Sequence, residues 1–213
     1  MTLYKGDQVT FPRRSEPITG TSTPTTSYTN LFRGIWQGMG YDGKAPRFRK
    51  GGESANRMLQ PASNAPDQVT MVGGIFALGF DASTEESLSF SVTLDNNYRE
   101  GSDLAPYVDW TPSDGTAGNV VWGMEYTIAN KSSAFPSTTS ITATSAAAGT
   151  ADTLTEAEFT DITGTTFERG AVMHIRVYRK AAAAADTYAA DAFLLEAGIA
   201  YQFEGSGSVR GNP

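Results

Sequence analysis

From residue 67 onward the chain alternates. Leu88, Phe90, Val92 and Leu94 alternate strictly with Ser87, Ser89, Ser91 and Thr93, the pattern of a strand with one wet face. Val120, Trp122, Met124, Tyr126 and Ile128 share one face, and Val121, Gly123, Glu125 and Thr127 the other. Val172, His174, Arg176 and Tyr178 oppose Met173, Ile175 and Val177 in the same way. The longest alternation puts Phe193, Leu195, Ala197, Ile199, Tyr201 and Phe203 against Leu194, Glu196, Gly198, Ala200, Gln202 and Glu204. Met71 to Phe80 is apolar on both faces and reads as one central strand. Ala105–Trp110 reads as a short strand, and the Thr-rich Thr138–Ser145 as an edge strand.

Turn residues separate these runs: Asn96-Asn97, Pro112-Ser113-Asp114-Gly115 and Ala148-Gly149. Thr155–Phe159 fits either a single helical turn or a β-bend with Phe159 and Ile162 packed inward. Five alanines at 181–185 have helix propensity, but the run is short and lies between two strong strands, so a loop is the better reading. About eight antiparallel strands with long irregular connections and no strong helix predict an all-β jelly-roll sandwich. An immunoglobulin-like sandwich is the competitor.

The first 66 residues lack any such periodicity. Thr19–Ser27 is small, polar and β-branched, and buries too little to offset its ordering entropy. Two islands interrupt it, Leu31-Phe32-Arg33-Gly34-Ile35-Trp36 and Ala45-Pro46-Arg47-Phe48-Arg49-Lys50. The pattern predicts an extended N-terminal arm over 1–66, with 60–66 as linker, a sandwich over 67–205 and a flexible tail over 206–213.

Charge sharpens this division. Residues 1–66 hold nine Lys/Arg and four acids, about +5; of the 16 basic and 23 acidic residues overall, 7 and 19 remain, about −12. A basic arm ahead of an acidic body suits docking on an acidic partner surface. Nucleic acid is the weaker expectation, because the cations are interleaved with Gly and Pro. There is no cysteine, so disulfides, thiolate metal sites and cysteine nucleophiles are excluded. No apolar run approaches 18 residues, and residues 1–7 lack the apolar core of a secretory signal.

The chain carries little that points to catalysis. His174 is the single histidine, it sits mid-strand, and no Gly-x-Ser-x-Gly elbow accompanies it. A strand histidine hydrogen-bonded to a neighbour, or at a subunit contact, is the expectation. Asp103, Asp109 and Asp114 lack the spacing of a calcium loop. Neither glycine fingerprint for phosphate is present. We expect no enzyme, no cofactor and no metal. Trp36, Trp110 and Trp122 are the aromatics that could stack on sugars; Trp122 lies on the apolar face, and Trp110 is open to either role.

Two separated segments carry a resemblance. The first is Trp110-Thr111-Pro112-Ser113-Asp114 followed by Gly118-Asn119-Val120-Val121-Trp122-Gly123-Met124-Glu125-Tyr126. The second is Asp186-Thr187-Tyr188 and Asp191-Ala192-Phe193-Leu194-Leu195, ending Tyr201-Gln202. Together they resemble structural proteins encoded by tailed bacteriophages, over roughly residues 105–207. Many relatives place a His-x-His-Trp run before the turn. Here it is Tyr107-Val108-Asp109-Trp110, so any role of those histidines does not transfer.

The resemblance implies a virion protein. For a jelly roll with a basic arm, the expectation is a capsid cement (decoration) protein on the outer surface of the head. It would be a homotrimer with the major capsid protein as partner, and without nucleic-acid or membrane partners. The expected capsid-binding anchors are Leu31, Phe32, Ile35 and Trp36, with Arg47, Phe48, Arg49 and Lys50. The alternative is a tail or head-fibre receptor-binding module that takes a carbohydrate.

Overall fold

The computed structural model describes residues 47–203. Ten strands run β1 Arg47–Ser54, β2 Asp67–Thr70, β3 Phe76–Phe80, β4 Ser87–Thr93, β5 Leu104–Pro112, β6 Asn119–Ala129, β7 Thr139–Ala146, β8 Thr155–Glu158, β9 Val172–Arg179 and β10 Ala192–Phe203. Among the described residues helix is confined to two single 3-10 turns, Ala55–Arg57 and Val72–Gly74.

The strands form two antiparallel sheets. Sheet A has the order β2-β3-β10-β5-β8, with β1 also on β10; sheet B has the order β4-β9-β6-β7. The last eight strands pair as β3 with β10, β4 with β9, β5 with β8 and β6 with β7. That nesting is a long hairpin rolled up, and the β5–β10 and β6–β9 pairings close the roll. It is the jelly-roll order expected from the alternating pattern. β7 is an edge strand, and residues 181–185 are turns, both as expected.

The alternating residues supply the core. Leu88, Leu94, Trp110, Val120, Trp122, Met124, Met173, Val177 and Leu194 are all fully buried between the sheets. Trp110 and Trp122 meet edge to face at 6.2 Å, and Phe80 meets Trp122 at 5.2 Å. Trp110 is therefore a core residue, and its indole N–H donates to Ser145 Oγ at 3.1 Å. Thr155–Phe159, left open between a turn and a bend, is the strand β8 and its end.

Three expectations are corrected. The arm does not extend to residue 66. Residues 47–54 pair in register with Phe203–Glu196 of β10, and Ala55 and Met58 are buried. β1 gives no periodic signal because it is held by main-chain hydrogen bonds along a neighbour that approaches closely. A Cβ on Gly198 would sit 2.5 Å from Gly52 Cα. Residues 1–46 and 204–213 lie outside the described residues.

Second, Met71 to Phe80 is not one central strand. The chain turns at Gly73 and Gly74, with φ of 71° and 79°, and β3 begins only at Phe76. Val72, Ile75 and Phe76 are exposed at this tip.

Third, the β10 alternation changes phase. A bulge against β5 lies between Leu194 and Glu196. Ala192 and Leu194 point inward before it, and Ala197, Ile199 and Tyr201 after it. One extra residue moves every later side chain to the other face, so Leu195 is not a core position.

Candidate functional site

Of the eight expected capsid-binding residues, Leu31, Phe32, Ile35 and Trp36 lie outside the described residues. Arg47 and Phe48 open β1, opposite Phe203 and Gln202. Arg49 and Lys50 are occupied within the body. Arg49 pairs with Asp95. Lys50 Nζ lies 2.8 Å from Glu156, 3.8 Å from Asp109, and 4.1 Å above the centre of the Tyr107 ring.

This cluster occupies the outer face of sheet A. Burial alone would lower the Lys50 pKa, but the Glu156 hydrogen bond and the charges of Asp109, Glu156 and Glu196 hold it above its ordinary value. Burial raises Asp109, despite the opposing pull of Lys50. Tyr107 donates its hydroxyl to Glu196 at 2.5 Å, and burial together with that bond pushes its pKa far up. These groups satisfy one another, and β1 is fastened to β5, β8 and β10 by them.

The outer face of sheet B is different, because its apolar groups are left open. Its floor is Ser89 and Ser91 of β4, His174 and Arg176 of β9, and Glu125 and Thr127 of β6. Alternation on three adjacent strands puts them all on the solvent side. Ser91 Oγ and His174 Nδ1 share a hydrogen bond of 2.6 Å across the β4–β9 pair. This is the neighbour-bonded strand histidine expected from the sequence. Arg176 donates to Glu85 at 2.9 Å and to Glu125 at 3.2 Å, and its guanidinium stacks on Tyr178, 4.5 Å from the ring centre. Burial would lower the Arg176 pKa; the two carboxylates outweigh it.

Two exposed apolar side chains lie beside this floor, Leu59 in the groove lining and Phe135 on the His174 ring. Leu59, 74% exposed, is held by reciprocal main-chain hydrogen bonds with Ser89 at 2.8 and 3.0 Å. Phe135, 47% exposed, packs on the His174 ring at 5.0 Å. Thr127 fixes its loop by donating to the Pro136 carbonyl at 2.8 Å. The groove beside these residues has a volume of about 400 Å³, within the usual range for small-ligand sites.

Chemically this arrangement can bind and orient. Among the described residues no third side chain is hydrogen-bonded to His174, and the two side chains rise from neighbouring strands. Asp103, Asp109 and Asp114 are separated: Asp103 accepts from the Gly164 amide, Asp109 faces Lys50, and Asp114 accepts from the Thr116 amide. Among the described residues no group of His, Cys, Asp or Glu side chains is arranged to hold a metal.

Sequence reasoning missed Leu59 and Phe135. Their signal was faint: single large apolar residues in polar loops, Met58-Leu59-Gln60-Pro61 and Ser133-Ala134-Phe135-Pro136. It also missed the role of the two motif segments. They touch each other. Asp186 accepts from the Val121 amide at 3.0 Å, Thr187 Oγ1 from the Asn119 amide at 2.9 Å, and Tyr188 donates to Asp114 at 3.0 Å. Leu194 pairs with Trp110. The motifs form one structural junction, and Glu125 of the first segment also stands in the groove floor.

No family model matches the chain, and no curated protein matches it. Among solved structures, one similar chain is the CBM36-1 domain of a multidomain xylanase from the hindgut metagenome of Trinervitermes trinervoides. It is 10% identical, with 71% of this chain and 96% of that chain covered, at a TM-score of 0.36. Another is TmCBM61 in complex with beta-1,4-galactotriose, 14% identical, covering 74% of this chain and 88% of that one, at a TM-score of 0.32. A likeness this distant carries no function over to this chain.

Proposed function

We propose that the protein is a non-catalytic binding module of a virion surface, and that the groove on the outer face of sheet B takes a host-cell glycan. The observation that carries this reading is the pair of exposed apolar side chains beside a polar floor: Leu59, whose main chain is bonded to Ser89, and Phe135, which packs on the His174 ring. A pyranose has an apolar face and an equatorial rim of hydroxyls. Phe135 offers a flat surface to the first; Glu125, Ser91 and Thr127 offer partners to the second. The virion setting comes from the resemblance of the two motif segments.

The test is titration of the soluble protein against a glycan panel, with Phe135→Ala and Leu59→Ala alongside. Saturable binding weakened by both substitutions supports the reading, and absence of binding across the panel overturns it.

Capsid cement is the second reading, and one observation favours it. β1 is paired over eight residues with β10, an interior strand of sheet A, and Arg47 lies opposite Phe203. Arg47 is thus held on an interior strand, an attachment suited to carrying load. Particles depleted of a cement protein lose heat stability and keep adsorption. Depletion of a receptor binder does the reverse. Measuring both on one depleted stock separates the two readings.

A further inference from the structure

We infer that the sheet B groove selects uncharged or amine-bearing sugars and rejects sugar acids such as uronates and sialates; this rests on the glycan-binding reading above. The argument concerns which charges in the groove are free. Arg176 is the floor's guanidinium, and a guanidinium is the usual partner for a sugar carboxylate. Here it is already engaged on three sides. One terminal nitrogen donates to Glu125, the other to Glu85, and Tyr178 lies against its face.

Counting formal charges on this triad gives one cation against two anions. The other groups at the floor and walls do not reverse the balance. Ser89 and Ser91 on β4, Thr127 on β6 and Thr138 before β7 are neutral. His174 is bonded to Ser91 and covered by Phe135. Lys131, the cation of the Phe135 loop, lies instead against Gly170: a Cβ there would sit 2.7 Å from Lys131 Cε.

The carboxylates keep acceptor capacity that Arg176 does not exhaust. Ser140 Oγ reaches Glu125 Oε1 only at 3.4 Å. That oxygen suits a sugar hydroxyl or ammonium as donor. A ligand carboxylate in the same place would face two anions, with the guanidinium already shared between them. The surrounding body is strongly acidic as well, which repels an anionic chain at low salt.

The experiment compares three oligosaccharides of one backbone and length, built from glucose, glucosamine and glucuronate, at 0.02 and 0.15 M salt. The expected order of affinity is amine-bearing first, neutral next and uronate last, with at least a tenfold gap between neutral and uronate at low salt that narrows at higher salt. Glu85→Gln, which leaves the floor strands untouched, should narrow that gap, and Glu125→Gln should narrow it further. Uronate binding equal to or tighter than neutral overturns the inference while leaving the glycan reading intact. Saturable binding by none of the three, nor by a broader panel, overturns both.

Discussion

Arg179 and Asp186 form an ion pair in which neither side chain is more than 1% exposed. Arg179 is the last inward-facing position of β9, in phase with Met173, Ile175 and Val177. It donates to both Asp186 oxygens, at 2.7 and 3.1 Å, and to the carbonyls of Phe80, Ala190 and Tyr188. Asp186 in turn accepts from the Val121 amide. The pair thus ties β3, β6, β9 and the segment entering β10. Removing either partner leaves a buried charge without compensation. Arg179→Met and Asp186→Asn should each destabilise by about 3–5 kcal/mol. The double variant should cost less than the sum. Urea denaturation in a double-mutant cycle checks this, and strict additivity would contradict it.

Gly118 sits where the two motif segments cross. A Cβ there would meet Tyr188 Cα at 2.6 Å and the Thr187 carbonyl oxygen at 2.7 Å, both backbone. Gly118→Ala should therefore force the segments apart and lower stability by about 1–3 kcal/mol, as overpacking does. Thermal unfolding reads it, and an unchanged midpoint would mean that the junction is loose.

Residues 47–66 belong to the body, and truncation tests this against a chain lacking residues 1–46. A chain lacking residues 1–66 loses β1, the burial of Ala55 and Met58, and the Lys50 contacts. Burial of Met58 alone is worth about 1.5–3 kcal/mol, so this form should be markedly less stable. Equal stability of the two truncated forms would place the boundary back at residue 66.

Stability should peak at mildly acidic pH. Burial raises the carboxyls of Glu86, Asp109 and Asp191 above their ordinary values of 4.5, 3.8 and 3.8. The folded state holds those protons more tightly than the unfolded state, so their contribution is full below the ordinary values and is lost as pH rises through the raised ones. Asp81 and Asp114 are lowered from 3.8, by hydrogen bonds from Ser83 and from the Thr116 amide. Their contribution is present above 3.8 and is lost as pH falls through the lowered values. The melting temperature should fall on both sides of the maximum, and Asp109→Asn should flatten the neutral side. A melting temperature that climbs steadily to neutral pH would contradict this.

Phe135→Ala and Leu59→Ala should leave the melting temperature within a degree or two, because both side chains are exposed. Each should weaken glycan binding by about tenfold, or about 1.4 kcal/mol. Calorimetric titration together with a melting curve separates this outcome from a folding defect.

Alternation alone determined most of the sandwich. β4, β6 and β9 stand where their period of two placed them, because each has one face in the core and one in water, and a strand so divided must write that division into its sequence. The Thr-rich β7 was legible as an edge for the same reason. The sequence also located the turn after β5, at Pro112-Ser113-Asp114-Gly115, since those residues suit a tight connection.

Tertiary structure decided the rest. β1 has no apolar period, because main-chain pairing with β10 and glycine contacts hold it, and main-chain groups are the same in every residue. The bulge at Leu195 cannot be read from the run, because Leu194 and Leu195 are adjacent and equally apolar, and either could face the core. Arg179 reads as an ordinary surface cation until Asp186 and three carbonyls close around it. The groove wall is equally hidden: Leu59 and Phe135 lie 76 positions apart in polar loops, and only the packing of β4, β9 and β6 brings their loops to the same face.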